Sequence, residues 1–270
     1  MRQFKLSLII LCIILLAAGL AYLSWVLYQK IPGQTESPLK AISENTALII
    51  QVNRPSELSQ DIISDNLLWK ELTIIPYLSS VKNDVRVIDS LLKSNKELLQ
   101  VTKKYPLYLA MTMVTRSSYG FLFLTSIPRK DGEDVITTFL EENFKGKISI
   151  LKNQYGSANL VRVIVKGTHE PFYFAVRKGV FMGSVHPELV TKAIDQLYLN
   201  IPSLAGSGFQ KVETTTGKKV DANIYINYQL IRPFISNLLQ PEQQSETYKL
   251  NWFADWSGLD VILKKGRDAD

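Results

Sequence analysis

The sequence predicts an α+β protein: one N-terminal transmembrane helix, then largely antiparallel sheets covered by helices on one face. Three observations lead there. An uncharged run of 22 residues, Leu6–Leu27, stands apart from the rest. Beyond it, short apolar or alternating segments recur between turn-forming residues, as strands require. Between those segments lie stretches whose apolar residues are three and four apart, the spacing of one helix face.

Each element can be justified in turn. As a helix at about 1.5 Å per residue, Leu6–Leu27 reaches roughly 33 Å, enough for a hydrocarbon core of about 30 Å. Its only polar residues, Ser7 and Ser24, lie near its ends. Tyr22, Trp25 and Tyr28 mark the lipid–water boundary, where amphipathic rings are favoured. A cleaved signal peptide competes with this reading, with Gly19-Leu20-Ala21 as a weak cut site. The apolar run continues through Trp25-Val26-Leu27, which suits an uncut anchor better. A lipoprotein signal at Cys12 fails because Leu11 is large where a small residue is needed. Arg2 and Lys5 precede the span and Lys30 and Lys40 follow it, a small positive-inside bias. The 240 residues from Ile31 onward hold no cysteine, which suits an oxidising compartment. No glycosylation sequon occurs. The expected location is a bacterial inner membrane, with one span and the C-terminal part in the periplasm.

Residues 31–44 carry two prolines and a glycine and read as a tether. A strand is expected at 47–52, then a helix opening at Pro55, where the missing N–H costs nothing. Residues 67–103 read as helical with a break at Pro76. Leu78, Val81, Val85, Ile88 and Leu92 form a 3-4-3-4 stripe for packing on a sheet. Strands follow at 107–113 and 119–127, then a helix opened by Glu133-Asp134, acids suited to its N-terminal dipole. Further strands are expected at 148–151, 160–165, 172–176 and 180–185, the last two joined by Arg177-Lys178-Gly179. A helix begins at Pro187. Residues 201–220 read as a linker. A strand at 223–228, a helix at 230–239 and a final hairpin of 248–254 with 259–263 complete the list. Ile50-Gln51-Val52-Asn53 and Ile224-Tyr225-Ile226-Asn227 each lead into a helix, a faint repeat. Two related α+β units are therefore expected, one over 45–200 and the start of a second over 221–270.

Composition limits function. Of 270 residues, 46% are apolar and 21% charged, with mean hydropathy +0.03, which excludes disordered, collagen-like and multi-span chains. The lone Cys12 excludes a disulfide framework and a thiolate metal cage. Net charge is +6, but setting Arg2, Lys5 and Lys30 aside leaves 28 basic against 25 acidic residues. Arg129-Lys130, Lys218-Lys219 and Lys264-Lys265 are isolated doublets. Nucleic acid requires clustered positive charge, so none is expected as partner.

Catalytic patterns are thin. The two histidines, His169 and His186, lie at a turn and a helix start, and structural roles suffice for both. Lys218 follows Gly217, but Val212 and Lys219 stand where a phosphate loop needs glycine and a hydroxyl residue. Gly206-Ser207-Gly208 lacks the third glycine of a dinucleotide fingerprint. Asp131, Glu133, Asp134, Glu141 and Glu142 read as solvated charge. No catalytic, metal or cofactor site is expected. Tyr248, Trp252, Phe253 and Trp256 form the densest aromatic cluster. Buried, it is core; exposed, it marks a partner surface at Trp252, Phe253 and Trp256.

Three stretches carry a family resemblance: the span, Asn45–Asn53 followed by Leu67–Leu72, and Gly217–Tyr228. The layout resembles uncharacterised, membrane-tethered bacterial envelope proteins carrying a domain of unknown function. The resemblance implies α+β units outside the membrane and a longer chain whose sheet continues, and it brings no catalytic residues. The expected function is a non-enzymatic interaction or assembly module of the envelope, with the membrane and an envelope protein as partners. The alternatives are binding of lipid or another apolar ligand between sheet and helices, and an envelope hydrolase built on a histidine.

Overall fold

The computed structural model describes residues 35–55, 103–115, 118–128, 131–167, 170–199, 204, 208–239 and 244–262. The expected span with Tyr22, Trp25 and Tyr28, the 67–102 stripe and His169 lie outside them. Among the described residues no helix is long and apolar enough to cross a membrane.

Nine strands form one sheet. They are β1 (Thr46–Val52), β2 (Leu107–Met113), β3 (Tyr119–Ser126), β4 (Ile148–Tyr155), β5 (Ala158–Val165), β6 (Phe172–Arg177), β7 (Val180–Ser184), β8 (Ala222–Asn227) and β9 (Trp256–Val261). Their order is β4-β5-β6-β7-β3-β2-β1-β8-β9, and every neighbouring pair is antiparallel. Among the described residues four α-helices accompany them: α1 (Gly132–Asn143), α2 (Pro187–Leu199), α3 (Phe209–Glu213) and α4 (Tyr228–Leu238). Two 3-10 segments, Pro38–Ala41 and Ser245–Trp252, also lie among the described residues.

The helices cover both faces, which corrects the expectation of one. The cause is visible in β2, Leu-Tyr-Leu-Ala-Met-Thr-Met, where both parities are mainly apolar and neither can face water at low cost. On one face α2 buries Leu189, Val190, Ala193, Ile194 and Leu197 against Ile49, Ala110, Leu122, Leu124 and Met182. On the other, α1 sets Ile136 and Phe139 on Val161, Val163 and Phe174. Beside it, α4 sets Ile231 and Phe234 on Ala47, Met111 and Ile226.

The β6–β7 hairpin turns on Lys178 and Gly179, at φ 47° and 69°. Both central residues lie at positive φ, so the turn's twist matches that of the strands. Glu36 N–H donates to Lys178 O at 2.9 Å, so the chain arriving from the N-terminal side docks at this turn. It then follows α2's face, where Ala41 and Ile42 are buried.

The faint repeat becomes a contact. β1 and β8 are neighbours, and Ile50 pairs with Ile224, its own counterpart. A local two-fold passes through that pair: β1 takes β2 beside it, and β8 takes β9. The expected second unit thus extends the first unit's sheet. The expected linker contains α3, whose Phe209 is buried in the core. The expected final hairpin is overturned as well. Residues 248–252 lie in a 3-10 segment, and β9 pairs with β8 instead. A short apolar run does not by itself distinguish strand from helix, and here the run packs along α4 as a 3-10 segment.

Candidate interaction surface

The surface is built where β8 passes into α4. Asn227 ends the strand, and its Oδ1 accepts from the N–H groups of Gln229 and Leu230 at 3.0 and 3.3 Å. This satisfies two of the donors every helix start leaves open. The helix is held to the sheet by Tyr119, whose hydroxyl donates to Leu230 O at 2.7 Å. Tyr119 also meets Phe234 edge-on at 5.7 Å. The Ser245–Trp252 segment packs along α4 and delivers the chain to β9.

The aromatic residues divide in two groups. Trp256 is buried, 6% exposed, with its ring 5.2 Å from Phe209, which in turn lies 5.0 Å from Tyr225. It belongs to the core and leaves the expected partner surface. Trp252 and Phe253 are 84% and 74% exposed, and Tyr248 45%. Phe253 leans on Tyr228 at 5.2 Å and Trp252 on Tyr248 at 6.3 Å. Leu259, on the outward side of β9, is 50% exposed, and Ile262, just past the strand, 68%. Five of the eleven large apolar residues exposed among the described residues thus fall within 248–262. Concentration of this kind differs from the single scattered exposures normal on a protein surface. Phe253, against Tyr228, and Leu259 lie on α4's face of the sheet, opposite the face along which residues 38–42 run.

A polar network that the sequence reading missed holds β9 in place. Asp260 accepts from Gly217 N–H at 3.1 and 3.0 Å through its two oxygens, and from Asn223 Nδ2 at 2.8 Å. Asn53 Nδ2 donates to Asn223 Oδ1 at 2.8 Å and to Val220 O at 3.0 Å. Gln51 Nε2 donates to Asn53 Oδ1 at 2.7 Å. Asn53 and Asn223 are 170 positions apart and Asn223 and Asp260 37, so no local spacing signals the links between them. Above them the Tyr225 hydroxyl lies 2.9 Å from Thr216 Oγ1. Burial raises the pKa of Tyr225. Burial likewise pushes Tyr108 up to about 12, with Tyr225 and Glu213 adding to it.

The other candidates lie elsewhere. His186 sits at the start of α2, its Nδ1 3.6 Å from Glu188 and its backbone N–H on Ser184 Oγ at 3.0 Å. Glu133 and Asp134 meet Lys152 at 3.0 and 3.4 Å. Glu141 and Glu142 are exposed on α1. Among the described residues, no group of three His, Cys, Asp or Glu side chains is placed to hold a metal. The arrangement at 248–262 offers apolar contact and strand hydrogen bonds, which is binding chemistry.

No known protein family and no curated protein matches the chain. A solved structure, crystal form III of TP0453, matches at 14% identity and a TM-score of 0.39, covering 77% of this chain and 70% of that one.

Proposed function

We propose that this chain is a membrane-tethered, non-enzymatic interaction module of the bacterial envelope, presenting its aromatic surface away from the bilayer. The observation that carries the reading is the exposure of Trp252 and Phe253 beside a well-packed core. Exposed aromatics of this size cost solubility and repay it only in a complex, where Trp and Tyr anchor interfaces. The uncharged Leu6–Leu27 run supports the tether. The seven residues from Tyr28 to Gln34 span at most about 25 Å, which keeps the domain near the membrane. The chain reaches the domain at the Lys178–Gly179 turn and runs along α2's face. That face looks to the bilayer, and α4's face with the aromatics looks outward.

Two measurements test this. A C-terminal alkaline phosphatase fusion is expected to be active and a β-galactosidase fusion inactive; the reverse pattern overturns the tether. A photo-crosslinking residue at Trp252 in cells is expected to give one defined adduct, while the same residue at Lys192, exposed on α2, gives none. Equal or absent crosslinking at the two positions overturns the surface.

A further inference from the structure

We propose that β9 is a self-association edge: a second copy of this chain pairs its own β9 antiparallel to it, about a two-fold axis at Leu259. The proposal rests on reading 248–262 as an interaction surface, and adds its occupant.

The two edges of the sheet differ. On β4, Lys152 sits in mid-strand, 3.0 Å from Glu133, and is followed by Asn153 and Gln154. Lysine and other polar residues on an edge strand resist pairing with another chain. On β9, Trp256–Val261 contains neither lysine nor proline. Its one charge, Asp260, is drawn onto the chain's own Gly217 and Asn223. This edge lacks the usual guard.

Its backbone is set for a partner. Tyr228 N–H donates to Asp255 O, opposite it in the ladder. An antiparallel ladder alternates, so residues 255, 257, 259 and 261 turn their amide groups to β8. Trp256, Gly258 and Asp260 turn theirs outward, where no strand lies among the described residues. In the first unit the counterpart of β9 is β2, and β2 carries β3 on that side.

The edge also complements itself. Residues opposite each other in a sheet share a face, so a two-fold between identical strands must fall on a residue. Leu259 lies near the middle of Trp256–Val261 and is the large apolar side chain that this strand exposes, which sets the axis there. There Leu259 meets its copy, Gly258 meets Asp260 and Ser257 meets Val261. No like charges face each other, and the outward amides of Gly258 oppose those of Asp260. The axis stands normal to the sheet, so both copies place Leu259 on the same face.

The test uses the full chain in nonionic detergent with Cys12→Ser, so that each added cysteine is alone. Facing residues of this kind lie about 4.5 Å apart between Cα atoms, within disulfide range. Leu259→Cys is expected to oxidise to a dimer at least about tenfold faster than Leu151→Cys on β4, given that only the former is held in register. Leu259→Lys places like charges face to face and is expected to weaken the dimer at least about tenfold in sedimentation. Its far-UV circular dichroism spectrum should be unchanged, because Leu259 is half exposed. Equal oxidation rates at 259 and 151, a monomeric parent chain, a dimer indifferent to Leu259→Lys, or a different protein's strand captured at 259 would each overturn the proposal. If the Trp252 adduct persists while pairing at 259 fails, the interaction surface stands and self-pairing falls.

Discussion

Two tryptophans four positions apart should respond in opposite ways to the same substitution. Trp256 is 6% exposed and Trp252 is 84% exposed. A tryptophan side chain offers about 200 Å² of largely apolar surface, at about 25 cal/mol per Å². Trp256→Ala therefore forfeits about 5 kcal/mol of burial, an upper figure because the unfolded chain already hides some surface. Loss of the Phe209 contact and the cavity left behind act in the same direction, so about 3–5 kcal/mol is expected. Trp252→Ala forfeits under about 1 kcal/mol by the same arithmetic. Guanidinium unfolding of the full chain in nonionic detergent, followed by far-UV circular dichroism, measures both. The midpoint should fall steeply for Trp256→Ala and hardly move for Trp252→Ala. A Trp252→Ala variant destabilised as much as Trp256→Ala would show that the exposed ring serves the fold. The argument that its exposure must serve a partner would then be refuted.

Two further outcomes follow from buried polar groups. Tyr108 has its pKa pushed up to about 12 by burial, against about 10 in the unfolded chain. A raised pKa means that the unfolded state loses its proton first. This group's contribution is therefore fully present below pH 10 and declines as pH rises from 10 to about 12. Tyr108→Phe should flatten part of the loss in denaturant stability over that window, and an unchanged slope would count against the burial. Thr46 and Thr112 are buried with their hydroxyls 2.8 Å apart. Thr46→Val alone strands its partner and should cost about 1–3 kcal/mol, whereas the double valine variant should come within about 1 kcal/mol of the parent. Additive losses in that double-mutant cycle would deny the pair.

What could be read from the sequence was local. Period-two patterns located eight of the nine strands to within a few residues, because a strand's alternation is written in its own side chains. Arg177-Lys178-Gly179 announced its hairpin through a glycine at the position that takes φ 69°. Pairing was not local. Nothing in Trp256–Val261 says that its ladder partner is β8 rather than 248–254, since both are short and apolar. The division of Trp252 from Trp256 was hidden for the same reason. Burial depends on where Phe209 and Tyr225 arrive, and they lie 47 and 31 residues earlier. The Asn53–Asn223–Asp260 network was invisible because it joins three segments that meet only in the folded sheet.

The tether and the β9 edge, proposed on separate grounds, constrain each other. Two identical single-span anchors in one bilayer are compatible with a two-fold assembly only if the axis stands normal to the membrane. Pairing β9 with its copy sets the axis normal to the sheet. Both conditions hold together only when the sheet lies along the bilayer. The chain reaches the sheet at the Lys178–Gly179 turn and passes along α2's face, which is then the face turned to the membrane in both copies. A sheet standing upright would put one copy's turn at the far end of an eight-residue strand, about 27 Å further from the bilayer. The linker of seven residues, about 25 Å at full stretch, could not cover that added distance. The aromatic surface, on α4's face, points away from the lipid in the flat arrangement. An outward-facing Trp252 in a membrane-parallel dimer is thus a consequence of connectivity, and locating Trp252 against the lipid surface would break one of the two premises.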